Sequence, residues 1–281
     1  MIAMVSAGER GARRRTHHGA NRLFKRYRTM AFRPKVHPKV DRWEKRQTRA
    51  ARFTGFGLIL IMAGGVVALA NWLAPPQHLP WKPLSLAQPV GVATSFKVAT
   101  GPTGGECRAI LTRGGVTFQD IADKTDGFCV VHDALTLTGG LNGSVAALHP
   151  IGAVMTCREA LAFSVWEKQV VQPAAGALLG SPVATITHFG AYSCRRRYGR
   201  ADQPVSEHAL ANAIDVGAFT LANGQTVTVE KDWSDPGPKG QFLHQIRQGA
   251  CGVFETVLSP DYNAEHKNHL HLDMGNGPFC H

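Results

Sequence analysis

Residues 53–74, FTGFGLILIMAGGVVALANWLA, carry no charged side chain. At about 1.5 Å per residue, a helix of this length crosses a hydrocarbon core about 30 Å thick. It is apolar on all sides, so it does not read as an amphipathic core helix. Directly before it, residues 1–52 hold 16 Lys and Arg against 3 Asp and Glu. A basic flank before a single apolar span predicts a cytoplasmic tail and an exported remainder. Trp72 stands at the outer end, where interfacial aromatics are favoured. We read an uncleaved anchor in an inner membrane. The alternative is a cleaved export signal, with Ala68-Leu69-Ala70 as the small-residue site. Translation from Met30 would still leave eight basic residues before the span.

The chain's net charge of +11 therefore belongs to the tail. Residues 53–281 carry 15 basic and 17 acidic side chains. A near-neutral exported part argues against nucleic acid as its partner. All six cysteines (107, 129, 157, 194, 251 and 280) also lie beyond the apolar run. Their even number on one side of a membrane predicts disulfides in an oxidising compartment, the periplasm. Nearness in sequence suggests Cys107–Cys129, Cys157–Cys194 and Cys251–Cys280. No C-x-x-C spacing points to a cysteine metal site.

Five prolines in residues 75–89 predict an extended spacer, with the segment running to 97. A small disulfide-containing subdomain is expected over 98–155, built on runs such as VTFQDI and GFCVVHDALTL. A larger domain is expected over 156–281. Thr156 and Glu159 have capping-box spacing before a helix predicted to end near Pro173. VATITHF (183–189) alternates as a strand. Residues 213–233 read as two strands joined at Asn223-Gly224. GQFLHQIRQGA (240–250) is an amphipathic helix, and FETVLS and HLHLDM are strands. The expected fold is α+β: an antiparallel sheet with helices packed on one side, preceded by one transmembrane helix.

The chemistry lies in two stretches, SEHALANAIDVGAF (206–219) and EHKNHLHLD (265–273). Alternation along a strand turns His269, His271 and Asp273 to one face. Asp215 falls within another predicted strand, where a carboxylate is disfavoured unless something compensates it. His208 lies on the loop leading in. His208, Asp215 and one of His269 or His271 can then meet over one sheet. Two imidazoles and a carboxylate suit zinc and leave a fourth position for water. Such a site still needs a base to take the water's proton.

The order S-x-H-x(6)-D and then H-x-H resembles the zinc peptidases of the D-Ala-D-Ala carboxypeptidase, lysostaphin and hedgehog fold. The chain more closely resembles the bacterial extensin-like protein C-terminal domain family. The residues that carry this are MTCREALAFSVW, HFGAYSCRRR, SEHALANAIDVGAF, VEKDW and ACGVFETVLSPDYNAEHKNHLHLD, and the resemblance covers roughly residues 83–281. It implies zinc on His208, Asp215 and His271, with His269 beside the bound water. His266 completes the H-x-x-H-x-H of the penicillin-insensitive murein endopeptidases. Carboxypeptidases of the fold carry Glu three residues before the last ligand; here that position is Asn268. His269 is then the expected base or stabiliser, with Glu265 more distant. Peptidases of this fold also hold a substrate carboxylate with an upstream Arg. Arg195 is the choice here, since alternation turns Arg195 and Arg197 one way and Arg196 the other. Ser206 is expected to fix the loop or to support a ligand from behind. The function implied is cleavage of peptidoglycan peptides, as an endopeptidase or a carboxypeptidase. The alternative is a non-catalytic envelope protein that keeps the fold and binds.

Overall fold

The computed structural model describes residues 38–138 and 146–281. The first element, α1 (Pro38–Leu73), takes in both the end of the basic stretch and the apolar run. Among the described residues it supplies the one helix long and apolar enough to cross a membrane, Arg42–Leu73, with none of its apolar stretch buried. Residues 1–37, including Met30, lie outside the described residues.

The Pro-rich stretch is not the extended spacer expected from its composition. It packs onto the part of the chain that follows it. Leu86 is only 2% exposed and joins the main hydrophobic core. Its carbonyl accepts from Gln169 Nε2 at 2.6 Å. Lys97 Nζ reaches the Pro76 carbonyl at 2.6 Å. Proline-rich backbone lacks donors, but its carbonyls remain strong acceptors, and here the side chains of Lys97 and Gln169 satisfy two of them.

Two short helices, α2 (Thr94–Thr100) and α3 (Gly104–Arg113), precede six short strands. These are β1 (Phe118–Ile121), β2 (Lys124–Asp126), β3 (Cys129–Val131), β4 (Ala134–Leu137), β5 (Ala147–His149) and β6 (Val154–Thr156). Then come α4 (Cys157–Trp166) and α5 (Gln172–Leu179), joined by a wide π-type turn over Glu167–Val171. The helix does not stop near Pro173, as expected. Proline is tolerated in a helix's first turn, where its missing N–H costs no bond, and the π turn restarts the helix just before it.

The long strands are β7 (Val183–Gly190) and β8 (Ala213–Leu221), with β9 (Thr226–Thr228) paired to β8 across the Asn223-Gly224 turn. The end of the 213–233 stretch departs from expectation. Val229–Asp232 is a helical turn, α6, held by Asp232 Oδ2 accepting the Thr228 N–H at 2.7 Å. α7 (Pro238–Ala250), β10 (Thr256–Leu258), β11 (Leu270–Asp273) and β12 (Phe279–Cys280) complete the chain.

The main sheet has the order β12-β10-β11-β8-β7-β5, with β9 also on β8. β1, β4 and β6 form a second sheet, and β2 and β3 a third. Pairing is antiparallel except at the two edges of the main sheet, where β5 joins β7 and β12 joins β10 in parallel. The fold is mixed α+β. Ile214, Val216, Phe219 and Leu221 of β8 face a core shared with Phe163, Trp166, Phe242 and Ile246. Trp166 meets Phe219 edge-on at 6.2 Å, and Phe219 meets Phe242 at 5.2 Å.

All six cysteines are paired, but two of the three expected pairings are wrong. The bonds are Cys107–Cys157, Cys129–Cys194 and Cys251–Cys280. Cys129 and Cys107 are not partners because each lies in a segment packed against a different neighbour. α3 lies against α4, which opens with Cys157, whereas β3 faces the loop that carries Cys194.

The capping box at the start of α4 forms only by half. Thr156 Oγ1 accepts the Glu159 N–H at 3.1 Å, but Glu159 turns inward. Its side chain is fully buried, and neither oxygen has a partner among the described residues. Burial first, then the carboxylates of Asp273 and Glu207, raise its pKa well above the ordinary value. Above about pH 4.3 an unfolded Glu has lost a proton that the native chain keeps. Stability therefore falls as pH rises from there toward the native pKa, by up to about 1.4 kcal/mol per pH unit. Glu159→Gln is expected to remove that slope and to raise stability at pH 7. Urea unfolding at pH 5 and pH 7 measures both, and an unaltered slope in the variant refutes the assignment.

Candidate metal centre

β8 and β11 lie side by side and antiparallel, and their register sets Asp215 directly opposite His271. Both side chains leave the sheet on the face away from the helices. His208 arrives from the 3-10 turn Glu207–Leu210, just before β8. Ser206 caps that turn, its Oγ accepting the His208 N–H at 3.4 Å, and so fixes the loop as expected.

Three ligand atoms converge. His208 Nε2 lies 3.2 Å from His271 Nδ1 and 3.3 Å from Asp215 Oδ2. His271 Nδ1 lies 2.8 Å from Asp215 Oδ1. Zinc bonds of about 2.0–2.1 Å in a tetrahedron need ligand atoms about 3.3 Å apart. One ligand atom from each residue lies within 4.8 Å of the others, close enough for one ion to sit among them, and two imidazoles with a carboxylate form a donor set that zinc accepts.

Both imidazoles are held from behind. His208 Nδ1–H donates to the Ala191 carbonyl at 2.7 Å, which leaves the Nε2 lone pair facing the centre. His271 Nε2–H donates to Asp273 Oδ2 at 2.9 Å, and Asp273 Oδ1 accepts the Gly275 N–H at 2.8 Å. An imidazole backed by a carboxylate is a recurring feature of metal-ligating histidines.

Charge points the same way. Burial tends to raise the Asp215 pKa, but the neighbouring His208 and His271 imidazoles outweigh it and hold the carboxyl well below the usual carboxylate range. Burial tends to lower the His271 pKa, but Asp215 and Asp273 outweigh it and raise it to about 9. Positive charge is thus favoured between the two carboxylates, and a metal ion bound there would compete with a proton.

Around the trio, His269 Nε2 stands 3.5 Å from Asp215 Oδ1, while its Nδ1–H donates to Asn268 Oδ1 at 2.9 Å. Burial is the main cause of its lowered pKa. His266 lies against His269, ring centroids 5.1 Å apart, and burial with the neighbouring imidazoles lowers its pKa to about 4. Both rings are therefore neutral near pH 7. His266 Nδ1–H donates to Asn263 Oδ1 at 2.7 Å.

The centre forms the floor of an open cleft of about 630 Å³. Arg195 and Arg197 line one wall; Tyr262, Glu265 and Phe279 line others. Arg196 turns away, donating to the Gln203 carbonyl at 2.8 Å and lying 5.0 Å from the Phe128 ring centre. The three arginines thus divide as their alternation suggests. Sequence reasoning missed Asp273 as the partner of His271, Asn268 as the partner of His269, and Phe189, whose ring meets His269 edge-on at 6.0 Å. The alternation that placed Asp273 beside His271 was a usable signal; for Phe189 there was none.

Residues 105–281, well over half of the chain, match the family model described as extensin-like protein C-terminus. The chain belongs to that family. The match begins some twenty residues after residue 83, where the motif resemblance starts, and contains every residue of the centre. No curated protein and no solved structure matches this extensin-like chain.

Proposed function

We propose that this extensin-like protein is a single-pass, membrane-anchored zinc peptidase acting on peptidoglycan peptides in the periplasm. The basic flank of α1 supports the orientation, and three disulfides beyond the apolar run support an oxidising compartment. The convergence of His208, Asp215 and His271, with ligand atoms within 4.8 Å of one another and lining an open cleft, carries the enzymatic reading.

His208 Nε2, Asp215 and His271 Nδ1 would hold the ion, related in its ligands to the zinc peptidases of the D-Ala-D-Ala carboxypeptidase type. Bound zinc would supply a Lewis acid for the scissile carbonyl and a water acidified to near neutral pH. His269 presents a neutral Nε2 toward the centre and would take the proton from the attacking water. His266, also neutral, would hold the leaving group or relay the proton. Arg195, on the cleft wall, would bind a substrate carboxylate.

One observation favours a second reading, a non-catalytic wall-binding protein. Asn268 occupies the place where carboxypeptidases of the fold carry Glu, and its oxygen is already engaged by His269. Two measurements on the purified protein separate the readings. The peptidase should hold about one zinc per chain and release soluble muropeptides from purified peptidoglycan. Zinc content with retention of sacculi but no release favours the binder. Absence of zinc sinks the first reading.

A further inference from the structure

Phe189 stands beside the centre by virtue of a local defect built into two strands at once. On β7, Thr187 pairs with Ala218, His188 with Val216 and Gly190 with Asp215. Gly217 is therefore a surplus residue on β8, and Phe189 a surplus residue on β7. Such bulges re-aim side chains and gather next to active sites. The pair has a second effect: β8 buries Ile214 and Val216 before the bulge but Phe219 and Leu221 after it, so its inward face changes parity there.

Two glycines make room for the ring. A Cβ on Gly217 would lie 2.4 Å from Phe189 Cζ. Gly190, immediately after the ring, has φ +145°, a conformation essentially reserved for glycine. All this places an aromatic ring edge-on against His269, yet leaves the residue 58% exposed. A ring needed only to seal the sheet would be buried, as the other large side chains of β7 and β8 are. His266 and Tyr262 already occupy another side of the histidine group.

We infer that Phe189, which abuts the cleft-lining His269 without itself being among the lining residues, is a specificity-determining residue at the cleft's rim that touches substrate, forming an apolar wall for an aliphatic side chain on the residue adjoining the cleaved bond. This rests on the peptidase reading and deepens it. A wall of this kind has no donor or acceptor, so it favours a methyl or methylene group and disfavours a charged one.

The test uses the full-length protein in detergent with a purified cross-linked muropeptide as probe. Phe189→Ala should raise KM about tenfold and leave zinc content unaltered, with kcat changed by no more than about twofold. Phe189→Leu should restore most of the loss. Gly217→Ala, which displaces the ring without removing it, should reproduce the KM increase. An unchanged KM in Phe189→Ala overturns the inference, as does a loss confined to kcat, which would mark the ring as a support for His269. If wild type holds zinc and binds the muropeptide without cleaving it, the catalytic reading fails alone. Weaker binding by Phe189→Ala would then still uphold the contact, and equal binding would overturn it. If wild type neither cleaves nor binds, both readings fall.

Discussion

Asp215→Ala is expected to empty the centre of zinc and to abolish muropeptide release together. Asp215 is the one carboxylate that faces both His208 and His271, at 3.3 and 2.8 Å. Its removal takes away a ligand and also the charge that balances a dication. Loss of a partner behind a ligand commonly costs about 10–100-fold in metal affinity, and loss of the ligand should exceed that. Zinc measured by mass spectrometry after dialysis, beside muropeptide release, checks the result. The folded state should survive, because Asp215 points away from the helix-packed core. A variant that retains stoichiometric zinc would refute the proposed ligand set.

His269→Ala is expected to fail differently. The ring stands beside the trio without belonging to it. Its Nδ1 is committed to Asn268, so its Nε2 is free to accept a proton. Zinc content should match wild type while release falls by about 10²–10⁴, the usual contribution of a positioned acid or base. The contrast with Asp215→Ala is the informative part. Equal loss of zinc in both would make His269 a ligand. Full activity in His269→Ala would remove it from the mechanism and shift attention to His266 and then Glu265, both of which line the same cleft.

Much of this centre is legible in the sequence because its parts are local patterns. An imidazole two residues before another on a strand shares its face, and Asp273 follows by the same rule. Ser206 precedes His208 at capping distance, and the cap is present. Arg195 and Arg197 reach the cleft while Arg196 does not. Where expectation failed, a contact or turn that composition does not record intervened. The Pro-rich stretch looked like a free spacer because composition records missing donors. It is packed because Gln169 and Lys97 offer donors to its carbonyls. The helix after Thr156 outran Pro173 because a π turn restarts it, with the proline in the new first turn.

By itself, then, the sequence determined the apolar helix, the placing of all six cysteines after it, most of the long strands and the candidate ligands. Each follows from periodicity or composition within a short window. Only the tertiary structure decided which distant pieces touch. Nothing between residues 216 and 270 announces that β8 and β11 are neighbours, still less that their register sets Asp215 opposite His271. Nor does spacing reveal that Cys107 meets Cys157, or that paired bulges bring Phe189 over Gly217. Strand order and register come from burying all the apolar faces of a sheet at once, against one set of helices. That is a property of the whole core, and no local window contains it.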